Sequence, residues 1–117
     1  NYLSANAPIQ YYSEGTLTQA SNGTITWNLS ANGRSARVVL TKNGFLNNPE
    51  GSIAGEIGNL IVQSNGVSGY SLTGFGSGWV FSTGVTLSSM SVGVSALNRI
   101  EMFNDQSLRY LGTMFKY

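Results

Sequence analysis

Apolar and polar residues alternate with a two-residue period along much of this chain. Ile25, Trp27 and Leu29 share one parity, and Ala36, Val38 and Leu40 share that of a second run. A period of two places successive side chains on opposite faces of a strand. Between the runs lies Ser30-Ala31-Asn32-Gly33-Arg34-Ser35, and Asn-Gly supplies the positive φ angles of a tight hairpin turn. The stretch Thr24–Pro49 is therefore expected to form a β-hairpin with one oily face, which the rest of the chain must cover.

The pattern continues downstream. Glu56–Gln63 is the most apolar strand candidate, with Leu60 and Val62 pointing one way and Ile61 the other. Leu97–Phe103 alternates with Ile100 and Met102 inward and Arg99 and Glu101 outward, and Leu108–Phe115 closes as a last strand. Ser89–Arg99 has room for one helical turn at most, since Gly93 and its valines disfavour helix. Asn-Gly pairs at Gly23, Gly33, Gly44 and Gly66 favour a tightly turning antiparallel chain. Short strands at a spacing of about 10 residues indicate a sandwich or barrel. The expected fold is all-β, an antiparallel β-sandwich of jelly-roll type. Its expected core is Trp27, Leu29, Val38, Leu40, Leu60, Val62, Leu72, Ile100 and Met102. Residues 1–20 are an N-terminal arm or short strands, and residues 21–117 a single sandwich domain. The sequence shows no internal repeat of solenoid length.

Composition narrows the functional classes. Charged residues make up only 9% of the chain and the net charge is +1, so the exterior is neutral and rich in Gly, Ser, Asn and Thr. Such a surface suits burial in an assembly. Arg34, Arg37, Lys42, Arg99, Arg109 and Lys116 are scattered among acids, whereas nucleic acid requires a clustered basic surface. No apolar run approaches the roughly 20 residues of a membrane-spanning helix. The chain starts at Asn1, as expected of a processed product or a piece of a longer protein.

Candidate chemistry is sparse. There is no cysteine and no histidine, which removes thiol nucleophiles, thiolate metal sites and the usual base of a hydrolytic triad. A glycosidase needs two carboxyl groups across a cleft. Glu101 instead alternates outward beside Arg99, as on a solvated strand face. Asp105 sits in a turn, where Asp bonds its own backbone. Gly74-Phe75-Gly76-Ser77-Gly78 fits neither G-x-G-x-x-G nor a P-loop, having no Lys and no helix to open. It also fails G-x-S-x-G. The sequons at Asn22 and Asn28 carry weight only in a source that glycosylates. No enzyme activity, cofactor or metal is expected. Aromatic residues are the remaining candidates, because exposed rings stack on sugars and anchor interfaces. Tyr11, Tyr12, Tyr70, Phe75, Trp79 and Tyr110 are the candidate ligand or interface contacts, with core packing the competing role for Trp79 and Phe81.

In order along the chain, Ile25–Ser30 (an Ile-x-Trp-Asp/Asn-Leu-Ser strand), Val38-Val39-Leu40-Thr41, Leu46-Asn47-Asn48-Pro49 and Leu60–Gln63 are followed by Phe75-Gly76-Ser77 with Trp79, Thr86–Ser88, and Asn98–Gly112. This succession, covering Thr24–Tyr117, resembles a β-rich domain of tailed-bacteriophage virion proteins, especially tail fibres and related surface appendages. Arg109 and Leu111 interrupt that family's compact Leu-Tyr-Gly ending, and residues 1–20 have no counterpart. The resemblance implies a non-catalytic module at the virion surface, commonly near the end of a homotrimeric fibre. Its partners would be copies of itself, other virion proteins, and a host-surface polysaccharide or protein. Threefold assembly would cover Val39 and Ile61, which are apolar at the outward parity. The alternatives are a capsid-decoration or fibre-capping domain with no ligand, and a bacterial lectin or pilus-type adhesin subunit.

Overall fold

The structure is a computed structural model and describes residues 14–86, 90–106 and 108–117. Among the described residues nine strands follow in order: β1 (Gly15–Leu17), β2 (Thr24–Ile25), β3 (Ser35–Val39), β4 (Gly44–Leu46), β5 (Ile57–Gln63), β6 (Leu72–Phe75), β7 (Trp79–Phe81), β8 (Leu97–Gln106) and β9 (Arg109–Lys116). A single helical turn, α1 (Leu29–Asn32), lies between β2 and β3. The fold is all-β, in two mixed or parallel sheets. One has the order β1-β3-β5-β8-β9-β7, the other β2-β4-β6.

The expected antiparallel hairpin over Thr24–Pro49 does not form. β2 belongs to the three-stranded sheet and β3 to the six-stranded one, and the chain steps between sheets instead of doubling back. β1, β3 and β5 pair in parallel, as do β2, β4 and β6. The first six strands are therefore successive coils, each adding one strand to either sheet. Gly15 lies beside Ala36 and Thr24 beside Phe45, both 21 positions on. The next coil is longer, placing Ala36 beside Leu60 and Phe45 beside Gly74. An internal repeat of coil length thus exists in the backbone, although the side chains along it differ enough to conceal it.

The hairpin reading failed for a physical reason. A positive φ fits an in-plane hairpin turn, a corner between sheets and a helix C-cap equally well. Gly33, with φ 91°, ends α1 and donates its N–H to the Leu29 carbonyl at 3.0 Å. Asn28 begins that turn, its Oδ1 accepting from the N–H groups of Ser30 at 3.1 Å and Ala31 at 3.2 Å, as an N-cap does. At the corners, Asn43 Oδ1 accepts from Ser71 N–H of the next coil at 3.1 Å, tying coil to coil.

Antiparallel pairing does occur, in the last third. β8 pairs with β5 and β9 with β8, and β7 then joins β9 in parallel. The β8–β9 hairpin is thus wedged between β5 and β7.

All nine expected core residues are buried, and side chains of both sheets join one cluster with Ile25, Leu46, Trp79 and Tyr110. Trp27 is fully buried at the crossing between sheets, with its indole N–H donating to the Gly33 carbonyl at 3.0 Å. Its ring lies against the bare backbone of Gly58. Asn98, also buried, accepts from Ser91 N–H at 2.7 Å and donates to Ser91 C=O at 3.0 Å. One side chain thereby imitates a strand partner and ties the segment before β8 to the core. Asp105 forms an ion pair with Arg109 across the start of the hairpin.

Candidate functional site

A candidate site lies at the corner where β4, β6, β7 and β9 meet. Past β4 the chain runs through Asn47, Asn48 and Pro49. Past β6 it turns through Gly76, Ser77 and Gly78. Three backbone bonds lock these segments together: Gly76 N–H to Leu46 C=O at 2.7 Å, Trp79 N–H to Gly76 C=O at 3.1 Å, and Tyr110 N–H to Gly78 C=O at 2.8 Å. Asn48 Oδ1 accepts from Gly78 N–H at 2.8 Å, and the Trp79 indole N–H donates to Asn47 C=O at 3.0 Å. Gly76 is required here, because a Cβ would sit 2.5 Å from Asn48 N.

A groove of about 450 Å³ opens at this corner, walled by Asn47, Asn48, Pro49 and Glu50 on one side and by Gly76, Ser77, Leu108 and Tyr110 on the other. Leu108 carries a φ of 62°, an uncommon conformation for a residue with a branched side chain, and it is largely exposed at the rim. The groove is lined by two amides, the hydroxyl-bearing Ser77 and Tyr110, one carboxylate and an apolar rim. That set can hydrogen-bond a neutral polar ligand. Glu50 is the one carboxylate in the lining, so the paired acids of glycoside hydrolysis are not assembled there. Among the described residues no three His, Cys, Asp or Glu side chains gather as a metal site.

The aromatic candidates sort into three groups. Tyr11 and Tyr12 lie outside the described residues. Tyr70 is half-buried against the core ahead of β6. Phe75, Trp79 and Tyr110 come together, with Phe81 as a fourth member. Trp79 stacks on Phe81 with centroids 5.6 Å apart, Phe75 meets Phe81 at 4.6 Å, and Tyr110 meets Trp79 at 6.4 Å. Trp79 and Tyr110 are each only 7% exposed. Trp79 stacks on Phe81 and meets Tyr110 at a tilt, so these rings form a core cluster that reaches the groove lining only through Tyr110. The residues that line the groove itself, Asn47, Asn48, Glu50 and Ser77, read in the sequence as turn formers. Asn47, Asn48 and Ser77 lie within motifs that carry the virion resemblance, and Glu50 directly follows one of them.

A second groove of about 490 Å³ lies at the other end of β5, lined by Arg37, Gln63 and the segments 64–66 and 94–97. Arg37 is already engaged there. Its Nε donates to Glu14 at 2.8 Å and Nη1 to Gln63 at 2.5 Å, and the Glu14 bond holds its pKa above the ordinary value.

Comparison with protein-family models, with curated proteins and with solved structures finds no match.

Proposed function

We propose that this chain is a non-catalytic surface module of a bacteriophage virion, of the tail-fibre or spike kind, that contacts host-surface saccharide through the corner groove. One observation carries the reading. Leu46-Asn47-Asn48-Pro49, Phe75-Gly76-Ser77 with Trp79, and the Leu108–Gly112 end of the resemblance are far apart in sequence, yet they wall one groove and hydrogen-bond to one another. A sugar presents hydroxyls, and the groove presents amides, hydroxyls and a carboxylate to meet them. The module would act at the virion surface beside other virion proteins, with further copies of itself as partners. A homotrimer is the arrangement the resemblance implies.

The test is a glycan array of bacterial surface polysaccharides probed with the full chain. Binding is expected, and Ser77→Trp, which fills the groove mouth from an exposed position, should abolish it. Binding that survives Ser77→Trp would remove the groove from the reading. The inward-facing aromatic rings favour one second reading, an architectural decoration or capping domain with no ligand, for which the array shows no hit.

A further inference from the structure

The outer face of the six-stranded sheet carries an apolar row that crosses four adjacent strands. Ile57 on β5 is paired with Phe103 on β8, Phe103 with Leu111 on β9, and Leu111 with Val80 on β7. These four side chains are 51%, 39%, 38% and 45% exposed, and a depression of about 300 Å³ is lined by Ile57, Phe103 and Leu111 with Glu101 and Thr113. Four contiguous apolar residues of this size form a patch on the order of 300–400 Å², as large as the largest on an ordinary monomer. The row sits between polar rows, as an interface core sits within its rim.

We propose that this face is a seam between copies of this chain, with the symmetry axis running parallel to the strands between β8 and β9. The argument is complementarity. Such an axis keeps each residue at its own height and lays β8 of one copy over β9 of the next. The register of the hairpin decides what then meets. Arg99 is paired with Phe115, Glu101 with Thr113 and Phe103 with Leu111, and Asp105 is ion-paired with Arg109. Across the seam, Arg99 therefore faces the second copy's Phe115, Glu101 its Thr113, Phe103 its Leu111, and Asp105 its Arg109. Ile57 falls over the second copy's Val80. Cation meets ring, acid meets base and apolar meets apolar, and no like charges oppose one another on these two strands. Arg99 already rests over Phe115 within one chain, 4.2 Å from the ring centroid. The exchange thus asks no group to accept an unfamiliar neighbour. This is the self-complementarity a symmetric contact requires, residue i on j and j on i.

The area is adequate only if the whole face takes part. Four strands at ~4.8 Å and seven residues at ~3.3 Å give roughly 450 Å² in projection, and more along the side-chain contour. A standard interface buries about 800 Å² per partner. The contact therefore includes the rows of Arg99 and Glu101 as well as the apolar one.

The experiment is light scattering on the full chain at 10–100 μM, behind size exclusion. The expected mass is that of a dimer, twice 12.5 kDa. Leu111→Glu should weaken association by about 30-fold or more, as removal of a central interface anchor does. Val67→Glu, on an exposed loop away from the face, should leave the mass unchanged. Asp105→Arg should also weaken association, and adding Arg109→Asp in the same chain should restore it. Far-UV circular dichroism checks that each variant is folded, and Ile57→Lys substitutes for Leu111→Glu should that variant unfold. A monomer at 100 μM, or a multimer indifferent to these substitutions, overturns the seam. The inference does not depend on the proposed function: a monomer that binds glycan would refute the seam alone, and a multimer without ligand would refute the groove alone.

Discussion

Gly58→Ala separates the packing argument from simple strand propensity. Gly58 is the second residue of β5, and its φ is not among the positive ones. Judged by the backbone alone, alanine is an improvement there. It lowers the entropy of the unfolded chain, worth ~0.4–1 kcal/mol in favour of the fold. The contacts point the other way. A Cβ at Gly58 would lie 2.7 Å from Trp27 Cη2, 2.8 Å from Cζ2 and 3.2 Å from the Arg34 carbonyl oxygen. The indole has little freedom to retreat, because it is fully buried and tethered through its N–H to Gly33. Overpacking of this kind costs ~1–3 kcal/mol. The net expectation is destabilisation of ~1–2 kcal/mol, a fall in Tm on the order of 5 °C for a domain of this size. Urea denaturation of wild type and variant measures it. The decisive comparison is the same substitution in a Trp27→Phe background, where the smaller ring vacates the contested space. Trp27→Phe is itself destabilising, through the lost indole bond and the void. The cost of adding Gly58→Ala to it should nevertheless shrink by at least ~1 kcal/mol, a coupling of the size seen between contacting residues. Equal cost in both backgrounds, or a Gly58→Ala protein as stable as wild type, refutes the claim that Trp27 requires a bare backbone beneath it.

Three further outcomes follow from the same contacts. Asn28→Ala removes the cap of α1 and should cost ~0.5–2 kcal/mol in chemical denaturation, with Asn28→Asp close to wild type. Asn98→Leu leaves the part-buried N–H and C=O of Ser91 without their Asn98 partner. It should cost ~1–3 kcal/mol and speed limited proteolysis within residues 82–96. Asp105→Asn weakens a partly exposed ion pair with Arg109, so it should shift monomer stability by less than ~1 kcal/mol, with a difference that fades at high salt.

Burial was legible in the sequence because it is a local property. The alternation of Leu60 and Val62 against Asn59, Ile61 and Gln63 sets which face turns inward, whatever strand lies alongside. The same holds for Ile100 and Met102, so the core residues could be named without a topology. Pairing is not local. Asn22-Gly23 and Asn43-Gly44 mark a change of direction, yet the sequence near them does not say whether the next strand returns beside the last or leaves for another sheet. That choice depends on whether β3 gains more by pairing with β1, which it does, than with β2. The corner groove was hidden for a related reason. Asn48 and Ser77 are ordinary turn residues until the coils stack them together. The apolar row was least visible of all, since Ile57, Val80, Phe103 and Leu111 are single apolar residues at outward positions on four separate strands.

The wedged hairpin connects these observations. β7 runs in the direction of β1, β3 and β5, as the next strand of a continuing coil would. It pairs with β9 because two antiparallel strands stand between it and β5. An inserted pair preserves direction, whereas one inserted strand would have reversed the neighbour β7 meets. The insertion widens one sheet to six strands while its counterpart stays at three. The inner side of the added strands joins the core cluster, to which Trp79 and Met90 belong and against which Phe75 and Phe81 pack. The outer side has no such cover among the described residues, and it holds two of the row's four members, Phe103 and Leu111, together with the Arg99, Glu101 and Asp105 rows. A coil that simply continued would repeat one strand upon another in parallel, placing like positions side by side across its face. The antiparallel hairpin instead sets unlike residues at equal heights, and that is the property a face needs if it is to match itself.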